Sequence, residues 1–266
     1  MKIHPTAVVD PASTIGDGVE IGPYCIVGPD VVIRENTRLQ GHAVLEGSVE
    51  IGERNLIGYG TVIGAAPQDL SYESSRKTGV DIGNDNVIRE YCSIHRGTAE
   101  GTSTRLGNNN YLMVGAHLGH NSAVGDKVII ANNCLLGGYV TVADGAFLGG
   151  GCVFHQLIRV GRLAIAQGAS AFSKDIPPFV IAAERNLVFG LNAVGLRRAG
   201  VSAGDREQIK TAFRLVYSSG LNISQALEEG AKMDLNPLAR EFLDFVAAAK
   251  KRGICPYKGG GEDDNI

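Results

Sequence analysis

Residues 14–33 read TIGDGVEIGPYCIVGPDVVI, and within them Ile15, Ile21, Val27 and Ile33 fall on every sixth position. Neither a helix nor an ordinary strand repeats with that period. Extended outward, the frame takes in Ile3 and Val9 before this stretch, then Leu39, Leu45, Ile51, Ile57 and Ile63 after it. It resumes at Ile82, Ile88 and Ile94, and runs from Leu106 through Leu112, Leu118, Val124, Ile130, Leu136, Val142, Leu148, Phe154, Val160 and Ala166 to Phe172. A fixed short repeat of this kind marks a solenoid, and the hexapeptide form predicts a parallel β-helix. Each hexad supplies a short strand with its aliphatic residue inward, then a turn eased by Gly, Asn or Asp. Three hexads close one triangular coil, so residues eighteen apart stand one above the other at about 4.8 Å.

A second inward column lies four residues after each aliphatic position: Val19, Cys25, Val31, Val49, Cys92, Ala116, Val128, Cys134, Val140, Ala146, Cys152 and Ile158, with a few polar exceptions. Four of the five cysteines sit in it, where a thiol packs as a small hydrophobe. Cys255 stands alone, there is no CxxC, and neither a disulfide framework nor a zinc site is expected. No signal-like N-terminus and no apolar run of membrane-spanning length occur, so a reducing cytoplasm is the expected location. A net charge of −3 gives no support to nucleic-acid binding.

The solenoid is expected over residues 1–178. It is broken by a polar insertion at about 65–80 and by a shorter one near Glu100–Arg105, and it ends at Asp175-Ile176-Pro177-Pro178. Residues 179–200 read as a connector with a basic end. From Ser202 the period becomes helical, which predicts a small α-helical domain over 201–256. Ser202 with Asp205 caps a first helix, a weaker one runs from about Ser224 to Met233, and Asn236-Pro237 opens a third. Residues 257–266 are expected to form an unstructured tail.

Polar chemistry concentrates between residues 95 and 156, at His95, His117, His120 and His155-Gln156. Counting in eighteens from His120 reaches Gly138 and then Gln156. A histidine, a glycine N–H and an amide would then line one groove. Histidine serves as a base near neutral pH, and a glycine amide can receive a developing oxyanion. That set suits acyl transfer to an alcohol or amine. Taken singly, each histidine reads better as a surface turn residue; their convergence favours chemistry.

The chain also resembles the UDP-N-acetylglucosamine O-acyltransferase family, the enzymes of the first step of lipid A biosynthesis. The resemblance rests on the hexad repeat and on Gln68-Asp69-Leu70, Ile94-His95-Arg96-Gly97-Thr98, His117-x-x-His120 and Ala131-Asn132-Asn133. His155-Gln156, Asp175-Ile176-Pro177-Pro178 and Gly190-x-Asn192-x-x-Gly195-Leu196-x-Arg198 complete it. It implies a left-handed coil, a homotrimer with sites between subunits, and a 3-hydroxyacyl donor on acyl carrier protein. It also implies a UDP-sugar acceptor, no cofactor or metal, and no membrane insertion. Carried over by position, His120 becomes the general base and Gly138 the oxyanion donor. Gln68, Asp69, Leu70, His95, His117, Asn121, Tyr139, His155 and Gln156 become substrate contacts. Asn192 and Arg198 belong to the nucleotide end, and Gly168 to the acyl-chain pocket. Arg159, Arg162, Lys174 and Arg197 are candidates for docking the acidic carrier.

Departures from the family pattern are equally legible. Asn121 stands where an Asp usually follows the base, Tyr139 replaces a His, Val194 replaces a Glu, and Ala199 stands where a second Arg is common. They leave open a UDP 3-amino sugar as acceptor, or a different acyl length. Other classes remain as alternatives. A zinc hydratase on the same solenoid would need a third ligand beside His117 and His120. A non-catalytic nucleotide-sugar-binding trimer would need no base. A related N-acyltransferase is disfavoured because the repeat begins at residue 3.

Overall fold

The structure, a computed structural model, describes residues 1–259. Twenty-six short strands from Lys2–Ile3 to Ala171–Phe172 wind into a left-handed parallel β-helix, stacked as three sheets that form the faces of a triangular prism. Face A contains Lys2–Ile3, face B Val8–Val9 and face C Thr14–Ile15; each later complete coil adds one strand to each face, and the last adds to A and B only. Every pairing between coils is parallel, as in Glu20↔Arg38 and Ile21↔Leu39. The aliphatic frame points inward throughout: Ile33, Leu45, Ile51, Ile57, Ile63, Ile88, Ile94, Leu112, Leu118 and Ile130 are fully buried. Cys25, Cys92, Cys134 and Cys152 are buried free thiols in the second column. Burial raises their pKa values, to about 11 for Cys92, so they stay uncharged at neutral pH.

The turns explain the residue choice between strands. Asn36, Asp85, Asn109, Asn121 and Asn133 all have φ near +57°, where a short polar side chain is tolerated. The polar exceptions in the second column also have a purpose. Asn55 Oδ1 accepts from Asn86 N and Nδ2, Asn86 Oδ1 accepts from Asn110 N and Nδ2, and Asn110 Oδ1 accepts from Val128 N, at 2.8–3.0 Å. A buried amide on each of three successive coils thus binds the coil above, and the polar groups cost little because they satisfy one another.

Both insertions leave the same edge of the prism. The first connects Val62–Ala65 on face B to Gly79–Ile82 on face C, and the second connects Ser93–His95 to Ser103–Leu106, again B to C. The coils close underneath them, since Ile94 stands on Ile63 and Leu118 on Ile94.

Residues 179–200 are more ordered than a connector. Val180–Ala183 adds in parallel to face A, and Leu187–Leu191 folds back on it antiparallel. Phe179 is fully buried beneath them. The short helix α1 (Ala193–Arg198) follows, then α2 (Ala203–Tyr217), α3 (Ile223–Lys232) and α4 (Pro237–Ala247). Ser202, Asn222 and Asn236 cap the last three through side-chain acceptors.

The helices are tied to the solenoid by two arginines that sequence alone offered to a docking partner. Arg159 pairs with buried Asp175 at 2.7 Å, stacks on Phe245 at 4.2 Å and donates to the Phe245 carbonyl. Arg162 pairs with Glu241 at 2.5 Å and lies over Phe179. Both guanidinium groups are therefore committed within the chain. The expected tail also begins too early at 257. Tyr257 bridges to Val188 and packs against Phe213 and Tyr217, and Lys258 pairs with Glu184; residues 260–266 lie outside the described residues.

The asparagine ladder is directly testable. Asn86→Ala should lower unfolding free energy by ~1–3 kcal/mol in urea titrations, because the Asn110 donors lose their buried acceptor. A change within a few tenths would show that the ladder contributes nothing.

Candidate active site

The edge between faces B and C carries the polar cluster. His120 follows the strand His117–Leu118, Gly138 follows Leu135–Leu136, and Gln156 follows Val153–Phe154. The registers His117↔Leu135 and Leu135↔Val153 set these three turns directly above one another. Together with Gln68, His95, His117, Gly119, Gly137, Phe154 and His155 they line a cleft of about 360 Å³.

Gly138 is required by close approach. A Cβ on it would sit 2.4 Å from Cε1 and Nε2 of His120, so the imidazole lies directly over the glycine backbone. Among the described residues no acceptor takes the Gly138 N–H. The His120 ring meets Tyr139 edge-on at 5.3 Å, and its Nδ1 lies 3.1 Å from Asn121 Oδ1. Asn121 Oδ1 also accepts from the Thr98 N–H at 3.0 Å and the Thr98 hydroxyl at 2.9 Å.

The histidines around the cleft differ by environment. His117 Nδ1 is 2.8 Å from Ser93 Oγ, and its ring meets His95 edge-on at 4.9 Å. Burial, reinforced by His95 and His120, lowers the His117 pKa to about 4. Burial likewise lowers that of His95, which is 9% exposed. Both are therefore neutral donors and acceptors at pH 7. His155 is open to solvent and contacts Arg252 from the segment after α4. Asp69 is held below the usual carboxylate range by the Ser71 N–H and hydroxyl, and further by the nearby His120 and Arg76. Leu70 beside it projects fully into solvent.

The remaining expected residues lie elsewhere in the protomer. Asn192 is buried as the cap of α1, accepting from Gly195 N and donating to the Leu163 carbonyl, and Arg198 ends that helix. Gly168 lies between Ile165–Ala166 on face A and Ala171–Phe172 on face B, on the opposite edge of face B from His120. Thr98, Ser93 and Arg252 were missed as part of the cluster. Ser93 was legible from its stacking below His117, whereas Thr98 and Arg252 arrive through an insertion and the helical domain.

A larger hollow of about 980 Å³ lies on face C, but its walls are ion-paired surface such as Arg34–Glu50 and Asp81–Arg105. It holds no histidine, so the smaller cleft is the chemical one. Among the described residues no group of three or more His, Cys, Asp or Glu side chains is arranged to hold a metal ion. Among them, too, no helix is long and apolar enough to cross a membrane.

Residues 175–255 match a family described as UDP-N-acetylglucosamine O-acyltransferase, domain 2. Residues 1–34, 30–65 and 103–138 match the bacterial transferase hexapeptide family. The acyl-[acyl-carrier-protein]–UDP-N-acetylglucosamine O-acyltransferase of Syntrophobacter fumaroxidans is 40% identical over 259 residues, covering 96% of this chain and 99% of that protein. The protein of the same description from Synechocystis is 41% identical over 262 residues, covering 97% and 95%. A solved Acinetobacter baumannii structure of this kind superposes with a TM-score of 0.91 at 37% identity, covering 96% and 99%.

The depressed His117 pKa has a consequence for stability. The unfolded chain takes up a proton near pH 6.5 that folded His117 refuses until about pH 4, so its contribution is present above pH 6.5 and lost as pH falls toward 4. NMR titration should find the His117 ring neutral at pH 5.5; a midpoint near 6.5 would contradict the buried environment.

Proposed function

From the premise that this chain belongs to the UDP-N-acetylglucosamine O-acyltransferase family, we propose that the His120 cleft is where it transfers its acyl group. The chain is an acyltransferase that moves a 3-hydroxyacyl or related fatty acyl group from acyl carrier protein to the 3-position of UDP-N-acetylglucosamine, in lipid A biosynthesis. It works as a cytoplasmic homotrimer.

One observation carries the assignment of residues: the imidazole of His120 lies over the Gly138 backbone, whose N–H has no protein acceptor among the described residues. A basic nitrogen and a vacant donor thus face the same small volume. His120 takes the proton from the sugar 3-hydroxyl as that oxygen attacks the thioester carbonyl. The Gly138 N–H donates to the oxyanion of the tetrahedral intermediate. Collapse breaks the C–S bond, and the imidazolium returns its proton to the departing thiolate. Neutral His95 and His117, with Gln68 and Gln156, offer hydrogen bonds that orient the sugar without adding charge beside the base. Asp69 and Leu70, on the insertion that leaves the same edge, close over the substrate.

The acyl chain has a natural route across face B. Gly168 lies on the far edge of that face and three coils above His120, about 14 Å along the axis. Between them the outward side chains Leu135 and Val153 are exposed apolar surface, followed by Ala171. A fatty chain starting at Gly138 would lie over this strip and reach Gly168, where a side chain would crowd the Gly150 carbonyl. A neighbouring subunit would cover the strip and bring in the nucleotide end represented by Asn192 and Arg198. Faces A and B suit that contact, with exposed Ile129 and Phe147 on one and Val8, Ile26, Leu135 and Val153 on the other. The outward positions of face C are instead charged at Glu50, Asp81 and Arg105. Lys174 and Arg197 remain candidates for meeting the acidic carrier.

Activity assays would follow product by mass spectrometry, using acyl carrier protein thioesters of several lengths and UDP-sugars with OH or NH₂ at C3. His120→Ala should lower kcat by roughly 10²–10⁴-fold while the trimer and its melting temperature stay unchanged. Near-wild-type turnover in that variant would remove the base assignment. Gly138→Ala should also cost at least about tenfold, because the new methyl must displace the imidazole.

A further inference from the structure

We infer that a second hollow, on the face C side of the edge that carries the cleft, is a binding site for a small polyhydroxylated phosphomonoester. It has a volume of about 540 Å³ and shares no lining residue with the His120 cleft. Its walls come from the returning limb of the first insertion, from the second insertion, and from the starts of three stacked face C strands. The inference is independent of the role given to His120.

The seat for the phosphate is built around a glycine. Ser48, Gly79 and Ser103 stand one above another, each opening its strand. A Cβ on Gly79 would lie 3.2 Å from Ser103 Oγ and 3.5 Å from Ser48 Oγ, so both hydroxyl oxygens border the space that a side chain would fill. The Ser48 carbonyl, 2.9 Å from the same point, closes the gap from behind and leaves a shallow seat. Among the described residues neither hydroxyl has a hydrogen-bond partner within the protein, and the same holds for Ser74 and Ser75 on the wall. A serine hydroxyl donates readily to a phosphate oxygen, and one oxyanion above Gly79 reaches two of them.

The charge beside the seat is positive, and part of it is fixed in place. Arg96 is partly buried, donates from Nη1 to the Gly64 carbonyl at 2.7 Å and from Nε to the Tyr72 phenol at 3.0 Å, and lies over the Tyr72 ring. None of these partners is a carboxylate. Among the described residues no carboxylate pairs with Arg96 or with the exposed side chain of Lys77. Glu100 accepts instead from the Lys77 main-chain N–H at 2.9 Å, and Arg76 is taken by Glu73 at 2.9 Å. Asp30 is the one acid among the described residues that lines the hollow. Two cations without counter-ions outweigh it, and a guanidinium already held in position binds an oxyanion at little cost in side-chain freedom.

The walls indicate the rest of the ligand. No lining residue carries an apolar side chain, so the hollow offers little to a fatty chain. Its volume falls in the range of small-molecule sites, which is more than a bare phosphate fills. Serine and threonine walls suit a body that itself bears hydroxyl groups. A sugar phosphate meets all three conditions.

Calorimetric titration of the full-length trimer with glucose 6-phosphate tests the site, with inorganic phosphate and glucose as separate titrants. Glucose 6-phosphate should bind, inorganic phosphate more weakly, and glucose not at all. Lys77→Glu should weaken glucose 6-phosphate binding at least about tenfold, and so should the joint change Ser48→Ala with Ser103→Ala, since each removes hydrogen bonds to a charged group. Neither variant touches a buried side chain, so melting temperatures should stay as in the wild type. Saturating UDP-N-acetylglucosamine and the variant His120→Ala should both leave the affinity unchanged. Failure of glucose 6-phosphate to bind at millimolar concentration, or wild-type affinity in either seat variant, would overturn the inference. Inorganic phosphate or glucose binding as tightly as the ester would overturn the ligand class. Competition by UDP-N-acetylglucosamine, or lost binding in His120→Ala, would place the ligand in the cleft and overturn the separate site.

Discussion

Each coil hydrogen-bonds in parallel to the coil below, and that stacking is the constraint on which the rest of the molecule depends. It works only if the inward position is aliphatic at every hexad, since one polar side chain there would leave an unpaired group along the axis. Where the chain does place amides inside, at Asn55, Asn86 and Asn110, it places them on successive coils so that each satisfies the next. The same stacking converts separation along the chain into height, which is why His120, Gly138 and Gln156 form one column.

A rigid prism has three edges, and chemistry needs only one of them. Both insertions, the His120 turn and the Asn121 network leave the edge between faces B and C. Placing loops and base together lets irregular segments act on a ring whose position the coils fix. The imidazole is further restrained by the glycine one coil above it and by the amide and hydroxyl groups around it. Precision at the reacting atoms therefore comes from the solenoid, and adaptability from what projects off it.

Legibility differed by element for identifiable reasons. The coils, the buried cysteines and the helix caps at Ser202 and Asn236 are local patterns, and a local pattern can be read from neighbouring residues. The hairpin over 180–191 was hidden because its strands are apolar without a six-residue frame, and it pairs with face A only after the repeat has ended. Arg159 and Arg162 look like free surface charge in a linear reading. Their partners, Asp175, Phe245 and Glu241, are either sixteen or more positions away or on another domain. Thr98 is similar: it reaches Asn121 only because an insertion folds back on its own edge.

The sequence by itself determined the coil, its period, the core columns and the vertical alignment of the base with Gly138 and Gln156. Those follow from repetition, and repetition is visible without coordinates. Only the tertiary structure decided which edge gathers the insertions, which arginines bind the helical domain to the solenoid, and how Thr98 reaches Asn121 beside His120. Those depend on where irregular segments return in space, and nothing periodic in the chain encodes that return.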